Sequence, residues 1–386
     1  MSLSVVFYDS TNIEYCPWPD TTYGLYAKSY LIPVMKERSE AFVGNVHTRL
    51  LVMSVDGIPV PVTVNDAEYA NSYVCSPYTH YVSYAKQELS LLRNRALIAA
   101  LSAVLTGIGG LLKASRFNRV VHVNNWLLST NLYPALSDEQ WSAALDGLIR
   151  AFPGHAIAFR SLNASLNPRE MDLLRGRRCR FVPSRQIYLL RTGDSDFGNA
   201  KARWLLKRDR SLADRHGYVE VGPTEMTSAD LPRIAELYKL LYLDKYSLHN
   251  PQFTSRFYEQ ALAEGTLELH GYRDGATGRL EAILGFYARE GAMTTPLFGY
   301  DTSRPQEHGL YRMLSVLLIG IARERGLLLH ESSGAAQFKR NRGAVADIEY
   351  TALYDRHLPA WRRGSWSALE GLLGKIGVPL MQKYKL

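Results

Sequence analysis

The sequence predicts an α/β protein built from two halves, each with a mixed sheet. In the first half, predicted strands come first, a long helix follows, and strands then alternate with helices. The second half runs strand, two helices, three antiparallel strands, helix, strand, helix and strand. Strands and helices that are interleaved in this way are typical of α/β folds. A polar segment at residues 192–199 separates the halves, and we expect the domain boundary there.

Length and composition agree with two folded domains. The chain has 386 residues, which predicts two cores of roughly 190 residues each. Hydrophobic residues make up 46% and charged residues 21%, which excludes intrinsic disorder. Three cysteines far apart exclude a disulfide scaffold and a cysteine-based zinc motif. The N-terminus has no basic, apolar leader, so we expect a cytoplasmic protein.

In the first half, residues 49–55 and 60–64 alternate in polarity around Asp56 and Gly57, which favour a hairpin turn. The other expected elements of this half, in order, are strand 4–8, helix 23–38, extended segments 72–76 and 81–83, helix 87–113, strand 120–124, helix 138–152, strand 156–160, helix 168–175 and strand 185–191.

Residues 96–112 carry no charge. A membrane span needs about 20 apolar residues, and this run is shorter and contains serine, threonine and three glycines. We therefore expect a core helix that is covered on both sides.

In the second half, Thr227 is the expected N-cap of a helix at 227–242, with Asp230 in its first turn. The other expected elements are helix 200–216 as a connection, strand 218–221, helix 253–263, a meander of strands 267–273, 280–289 and 292–298, helix 309–325, strand 327–331, helix 335–342 and strand 348–355.

The segment 331–343, ESSGAAQFKRNRG, places small residues before Phe-Lys-x-x-x-Gly. With the element order of the second half, it resembles the Fem-like branch of the GNAT superfamily of N-acetyltransferases. That branch contains tandem-GNAT proteins, including aminoacyl-tRNA-dependent peptidyltransferases and related acyltransferases.

The resemblance implies two tandem GNAT-like domains, each with a mixed, mostly antiparallel sheet flanked by helices. We expect residues 1–191 to form a degenerate GNAT-like domain, 192–217 a linker and connecting helix, and 218–386 the acyltransferase domain with a helical tail. The apolar residues of 365–386 fall at helical spacing, and we expect this tail to pack on the protein rather than on a membrane.

The superfamily's cofactor signature is Gln or Arg, two residues, Gly, one residue, and Gly or Ala, where a strand gives way to a helix. The helix N-terminus there offers free N–H groups and a positive dipole end to pyrophosphate. The matching residues here are Gln306, His308, Gly309, Leu310, Tyr311 and Arg312, with Arg304 also flanking the loop. Tyr311 departs from the signature, and a capped surface helix is the alternative interpretation.

Three residues at the expected open ends of the central strands are candidates for catalysis. Tyr300 and Asp301 follow one strand, and Glu331 ends another, so the carboxylates would flank the acyl group. The alternatives are a turn for Tyr300 and Asp301, and an ion pair with Arg340 or Arg342 for Glu331.

Other polar residues are candidates for acceptor binding. They are Tyr246, Ser247, His249 and Asn250 before the meander, Tyr78 and His80 in a tyrosine-rich stretch of the first half, and Lys339. The alternatives are a turn residue for His249, packing for the tyrosine-rich stretch, and a solvated position for Lys339.

The predicted function is N-acyl transfer from an acyl thioester, of coenzyme A or a carrier protein, to a small amine. Aminoacyl-tRNA is the alternative donor, and a non-catalytic binding protein on a GNAT scaffold is the second alternative. The net charge of +8 suits an anionic donor or an acidic carrier protein. We expect no metal cofactor and no stable membrane insertion.

Overall fold

The computed structural model describes residues 3–89, 94–193 and 198–384. The chain divides into two compact units. Unit 1 comprises Met1–Ser184, Ser247–Gln252 and Glu349–Leu380, and unit 2 comprises Arg185–Tyr246, Phe253–Ile348 and Met381–Leu386. The expected linker began at residue 192, and its residues 194–197 lie outside the described ones.

The strands of the described residues are Val5–Tyr8 (β1), Arg49–Val55 (β2), Ile58–Asn65 (β3), Val120–Val123 (β4), Ala156–Leu162 (β5), Arg180–Leu190 (β6), Tyr218–Val221 (β7), Glu268–Asp274 (β8), Leu280–Arg289 (β9), Ala292–Tyr300 (β10), Leu328–His330 (β11) and Val345–Tyr354 (β12).

The α-helices of the same residues are Thr22–Glu37 (α1), Tyr84–Glu88 (α2), Arg95–Ala114 (α3), Asp138–Ala151 (α4), Pro168–Gly176 (α5), Ala200–His216 (α6), Leu231–Tyr238 (α7), Ser255–Glu264 (α8), Leu310–Glu324 (α9), Ala336–Asn341 (α10), Ala360–Leu372 (α11) and Val378–Tyr384 (α12). Three π-helical segments, Thr79–Ser83, Lys239–Tyr246 and Leu373–Gly377, adjoin α2, α7 and α11.

The sheet of unit 1 has the strand order β1-β2-β3-β4-β5-β12. Its neighbours are antiparallel except β4 and β5, which run parallel. The β2–β3 hairpin turns at Asp56 and Gly57, whose φ values are +50° and +86°. Two left-handed residues define the tight turn that suits a twisted hairpin, so this expected turn is confirmed.

Helix α4 begins with a capping box. The Ser137 hydroxyl accepts a hydrogen bond from the Gln140 N–H, and the Gln140 side chain accepts one from the Ser137 N–H. Its apolar face, which includes Trp141 and Leu148, packs into a core with residues of β2 to β5. In unit 1, α4 therefore joins the parallel pair β4 and β5 as a crossover helix.

Helix α3 is not the covered helix that residues 96–112 predicted. It lies in the connection between β3 and β4, and only its inner face, with Ile108 and Leu112, joins a core cluster. Val104 and Leu111 on its outer face are 58% and 73% exposed. Composition predicted a helix correctly, but it could not show whether another element covers its second face. No helix of the described residues is long and apolar enough to cross a membrane.

The sheet of unit 2 has the order β6-β11-β10-β9-β8-β7, with β10 and β11 parallel and the other neighbours antiparallel. Strand β10 pairs with β11 only over Ala292–Thr294, although β10 continues to Tyr300. The register between β10 and β9 also shifts between Thr294 and Leu297. Strand β10 therefore continues to Tyr300 beyond the end of its pairing with β11.

The last strand of each half of the chain pairs in the other unit. Leu189 and Leu190 of β6 pair with β11 in unit 2, whereas Tyr350–Tyr354 of β12 pairs with β5 in unit 1. The sequence assigned both strands to their own halves, because a hydrophobic pattern predicts a strand but not its partner. Helix α6, expected as a connection, contributes Leu212 to the core of unit 2.

Candidate active site

Unit 2 contains a cleft of about 330 Å³, within the range of small-molecule sites. It lies at the end of β10 and the start of α9, and we call it the α9 cleft. Its lining residues are Lys245, Tyr246, Tyr300, Asp301, Arg304, Pro305, Gln306, Gly309, Leu310, Tyr311, Arg312, Ala335 and Phe338. Nine of them were named from the sequence: Tyr246, Tyr300, Asp301, Arg304, Gln306, Gly309, Leu310, Tyr311 and Arg312.

The N-terminus of α9 opens on this cleft. Gly309 is its N-cap residue, with a φ of +72°, and no side chain caps the helix there. The first backbone N–H groups of a helix have no partner within the helix, and they lie at the positive end of its dipole. The start of α9 can therefore bind a phosphate.

Basic side chains line the cleft beside this terminus. Lys245, Arg304 and Arg312 are the cations of the lining, and Asp301 is its carboxylate. Arg304 donates hydrogen bonds to Glu281, at 2.9 Å, and this partnership raises the pKa of the guanidinium. Burial lowers the pKa of Arg312, while Asp209 opposes that change. The lining carries a net positive charge that suits a phosphorylated ligand.

Asp301 is held as an ion. Arg233 Nη2 donates to its Oδ2 at 2.6 Å, and the Ser303 hydroxyl donates to its Oδ1 at 2.6 Å. Burial would raise its pKa, but the bonds from Ser303 and Arg233 outweigh burial and lower the pKa to about 2. A carboxylate with so low a pKa is a weak proton acceptor. The geometry therefore suits Asp301 for fixing the loop after β10 rather than for general base catalysis.

Tyr300 ends β10 and is accessible from the cleft. Lys245 Nζ donates to its hydroxyl oxygen at 3.3 Å. Lys245 therefore holds the phenolic hydroxyl of Tyr300 at the cleft, within reach of a bound ligand.

Glu331 follows β11 and lies near the cleft without lining it. Its Oε2 is shielded from solvent and has no hydrogen-bond partner. Burial raises the pKa of this carboxyl, with Lys339 and Arg342 opposing. A carboxylate whose pKa is raised by burial is the kind of group that accepts a proton near neutral pH.

Lys339 is buried rather than solvated. Its ammonium donates to the carbonyl oxygens of Glu331, at 2.5 Å, and Ser333, at 2.8 Å. Burial lowers its pKa, and the nearby Glu331 opposes that change. Lys339 therefore holds the loop that follows β11 and, with it, the position of Glu331.

Tyr311 lines the cleft next to Glu331. Its ring contacts those of Phe338, Phe298 and Tyr300, with centroid distances of 4.8, 5.5 and 6.2 Å. Burial, and then the charge of Glu331, raises its pKa. The bulky residue that departs from the cofactor signature thus belongs to an aromatic cluster at this end of α9.

The other candidates from the loop before the meander lie in unit 1. The Ser247 hydroxyl donates to Gln87 at 2.5 Å, and the carbonyl oxygen of His249 accepts from Ser72 at 2.8 Å. The carbonyl oxygen of Asn250 accepts from Asn45 at 2.9 Å. None of the three lines the α9 cleft among the described residues.

Three further candidates are also absent from that lining among the described residues. His308 stacks on His216, with centroids 4.6 Å apart. Tyr78 packs edge-on against Tyr69, and His80 Nε2 lies 3.0 Å from the Ser184 hydroxyl. The three residues therefore make packing and hydrogen-bond contacts within their own units.

Sequence reasoning missed Lys245, Pro305, Ala335 and Phe338 as lining residues. Lys245 immediately precedes the candidate Tyr246, and Phe338 is the aromatic residue of the Phe-Lys-x-x-x-Gly passage. Both could have been found from the segments already selected. Among the described residues, no group of three His, Cys, Asp or Glu side chains could hold a metal ion.

The element order of unit 2 is that of a GNAT-type fold. Unit 1 has the same order of strands, with one α-helix instead of two between its first two strands and an insertion around α3. The protein has two tandem GNAT-like folds and resembles the Fem-like branch.

No family model and no curated protein matches the chain. It is similar to the solved structure of L-PGS from Bacillus licheniformis, at 15% identity over 60% of this chain and 77% of that one, with a TM-score of 0.45. A tandem GNAT protein from the clavulanic acid biosynthesis pathway covers 91% of this chain and 98% of its own, at 10% identity and a TM-score of 0.40. FemX matches at 10% identity over 55% of this chain and 77% of its own, with a TM-score of 0.42.

Proposed function

We propose that the protein is an N-acyltransferase that binds a phosphate-bearing acyl thioester in the α9 cleft and transfers the acyl group to a small amine. The supporting observation is the uncapped N-terminus of α9 beside Arg304, Arg312 and Lys245. Phosphates of coenzyme A, or of the phosphopantetheine arm of a carrier protein, have the charge that this site binds.

The acyl group would lie beside the end of β10, which continues to Tyr300 beyond its last pairing with β11 at Thr294. Tyr300 stands at the end of β10, and Glu331 follows β11. The two candidate proton-transfer groups therefore come from neighbouring strands, with Tyr300 lining the cleft and Glu331 buried near it.

In the reaction, the amine nitrogen attacks the thioester carbonyl carbon, and the bond from carbon to sulfur breaks. Tyr300 gives its proton to the departing thiolate, and Lys245 stabilises the phenolate. Glu331 does not line the cleft, so in its ionised form it accepts the proton that the amine loses through an intervening water, and its raised pKa suits this step better than the low pKa of Asp301. Proton exchange with water returns both groups to their starting forms.

The test is an acyl-transfer assay with a panel of acyl thioesters and amines, read by product mass. Tyr300→Phe should reduce kcat by about 100-fold and leave donor affinity unchanged, since general acid catalysis contributes about that factor. Tyr15→Phe, at an exposed position, is the matched control. Parallel reactions with aminoacyl-tRNA, with and without nuclease, identify the alternative donor.

The outcomes separate the candidate functions. Thioester turnover that depends on Tyr300 supports the proposal. If turnover requires aminoacyl-tRNA and disappears with nuclease, the donor is aminoacyl-tRNA and not a thioester. If the protein binds the donor but turns over no amine in the panel, the function is that of a non-catalytic binding protein.

A further inference from the structure

Helix α3 presents an apolar face to solvent. Its exposed positions include Ala96, Ala100, Val104, Gly107 and Leu111, which recur at intervals of three or four residues and so share one face. No charged residue interrupts residues 96–112. A helix that is apolar on all sides is normally buried, in protein or in lipid.

The inner face of α3 fixes the orientation of the outer one. Leu112 is buried and Ile108 packs on the same core cluster, which also contains Phe117 and Trp366 of unit 1. The neighbouring residue Leu111 is 73% exposed. The outer face is therefore held towards solvent by core packing of the inner face.

Basic residues surround this charge-free stretch. Arg95 precedes it, Lys113 and Arg116 follow it, and all three are exposed. Lys86 Nζ lies 2.7 Å from the Thr106 hydroxyl, beside the middle of the helix. An apolar face flanked by cations has the chemistry of a helix that lies in the interface of an anionic bilayer.

Charge disfavours a second copy of this chain as the occupant. Residues 94–119 contain no aspartate or glutamate. Two α3 helices packed antiparallel would bring Arg95 of each copy towards Lys113 and Arg116 of the other, with no carboxylate from this segment to compensate. Acidic lipid headgroups supply that missing negative charge.

We propose that α3 docks unit 1 on the surface of an anionic lipid bilayer, with its outer face at the boundary between headgroups and acyl chains. The helix has 20 residues, a length of about 30 Å. It would lie parallel to the surface, because no helix of the described residues meets the requirements of a span. This inference goes beyond the proposed function and does not depend on the donor or acceptor.

The test is cosedimentation of the full chain with vesicles of phosphatidylcholine, with and without phosphatidylglycerol. We expect binding to the anionic vesicles, weaker binding to pure phosphatidylcholine, and release as salt screens the cations. Leu111→Asp should reduce partitioning into anionic vesicles roughly tenfold or more, because it exchanges an apolar contact for a charge. Leu25→Asp, at a 54% exposed position of α1, is the matched control and should bind as the unmodified chain does.

Circular dichroism and melting temperature establish that both variants are folded. Absence of binding of the unmodified chain to anionic vesicles would overturn the proposal, as would equal binding by Leu111→Asp. A dimer in sedimentation velocity that Leu111→Asp dissociates, with no vesicle binding, would assign the face to a second copy instead. Both aspartate variants should retain acyl transfer to a soluble amine, so failure here is distinguishable from failure of the proposed function.

Discussion

Replacing Gly309 by alanine tests whether the start of α9 binds the donor. Gly309 has a φ of +72°, and a Cβ built there would lie 2.7 Å from Arg312 Nε and 2.8 Å from Leu212 Cδ1. The substitution therefore has two effects: it strains the backbone, and it forces the Arg312 side chain away from the cleft.

The backbone effect concerns stability. A residue with a Cβ in the left-handed region costs about 1–2 kcal/mol relative to glycine. For a cooperative unit of about 150–250 residues, 1 kcal/mol lowers the melting temperature by about 2–4 °C. We therefore expect Gly309→Ala to melt about 2–8 °C lower, which leaves it folded at room temperature.

The side-chain effect concerns binding. Loss of one hydrogen bond to a charged group costs about 1.5–3 kcal/mol, which corresponds to an increase in Kd of roughly 10- to 150-fold. Gly326, just beyond the other end of α9, has a φ of +63°, and a Cβ added there would meet no atom within 4 Å, which makes it a matched control. Gly326→Ala should show the same loss of stability with unchanged donor affinity.

The assay pairs calorimetric titration with coenzyme A and thermal melting of both variants. Gly309→Ala should bind the donor at least about tenfold more weakly than Gly326→Ala at matched melting temperature. Equal donor affinity of the two folded variants would refute the placement of the phosphate at the start of α9. Gly309→Asp, which adds a negative charge at the same position, should abolish binding altogether.

Three further predictions concern other parts of the molecule. Asp209→Ala leaves the buried Arg342 without its carboxylate partner, so we expect the free energy of unfolding, measured in urea, to fall by about 3–5 kcal/mol. A decrease below about 1 kcal/mol would contradict this expectation. The pKa of Asp301 is lowered from 3.8 to about 2, so its ion pair with Arg233 stabilises the fold fully above pH 3.8, and this stabilisation is lost as the pH falls through 2. Between these pH values, the melting temperature of the unmodified chain should fall more steeply than that of Asp301→Asn. Trp366→Ala removes a buried ring whose centroid lies 3.8 Å from that of Phe117, so we expect the free energy of unfolding in urea to fall by about 3–5 kcal/mol. An unchanged unfolding midpoint would show that the tail does not stabilise unit 1.

Local chemistry made several features predictable. Asp56 and Gly57 tolerate left-handed backbone, so the hairpin between β2 and β3 could be predicted from two residues. The start of α9 was predicted from the resemblance to the cofactor signature, which places Gln306 and Gly309 where a strand gives way to a helix. Tyr300 and Asp301 were found as strand-end residues, and both line the cleft.

Features that depend on distant partners were not predictable in this way. The exposure of Leu111 depends on whether another element covers α3, and no pattern within the helix records that. Ser247 and Tyr246 are adjacent in sequence, yet they belong to different units, because hydrogen bonds to residues far along the chain determine the position of Ser247. The ionised state of Asp301 likewise depends on Arg233, which is 68 positions away.

The exchange of β6 and β12 has a consequence for how the chain is made. During synthesis, one edge of β5 has no partner at first. The strand that pairs with this edge is β12, which is complete only after residue 354 has been translated. Until then the edge of β5 offers free backbone groups to any extended peptide. A nascent chain of this protein therefore depends on protection of that edge from the completion of β5 at Leu162 until Tyr354 has been translated, which is about half of its length. A ribosome that stalls in the second half releases a first half that is complete in sequence but open in its sheet.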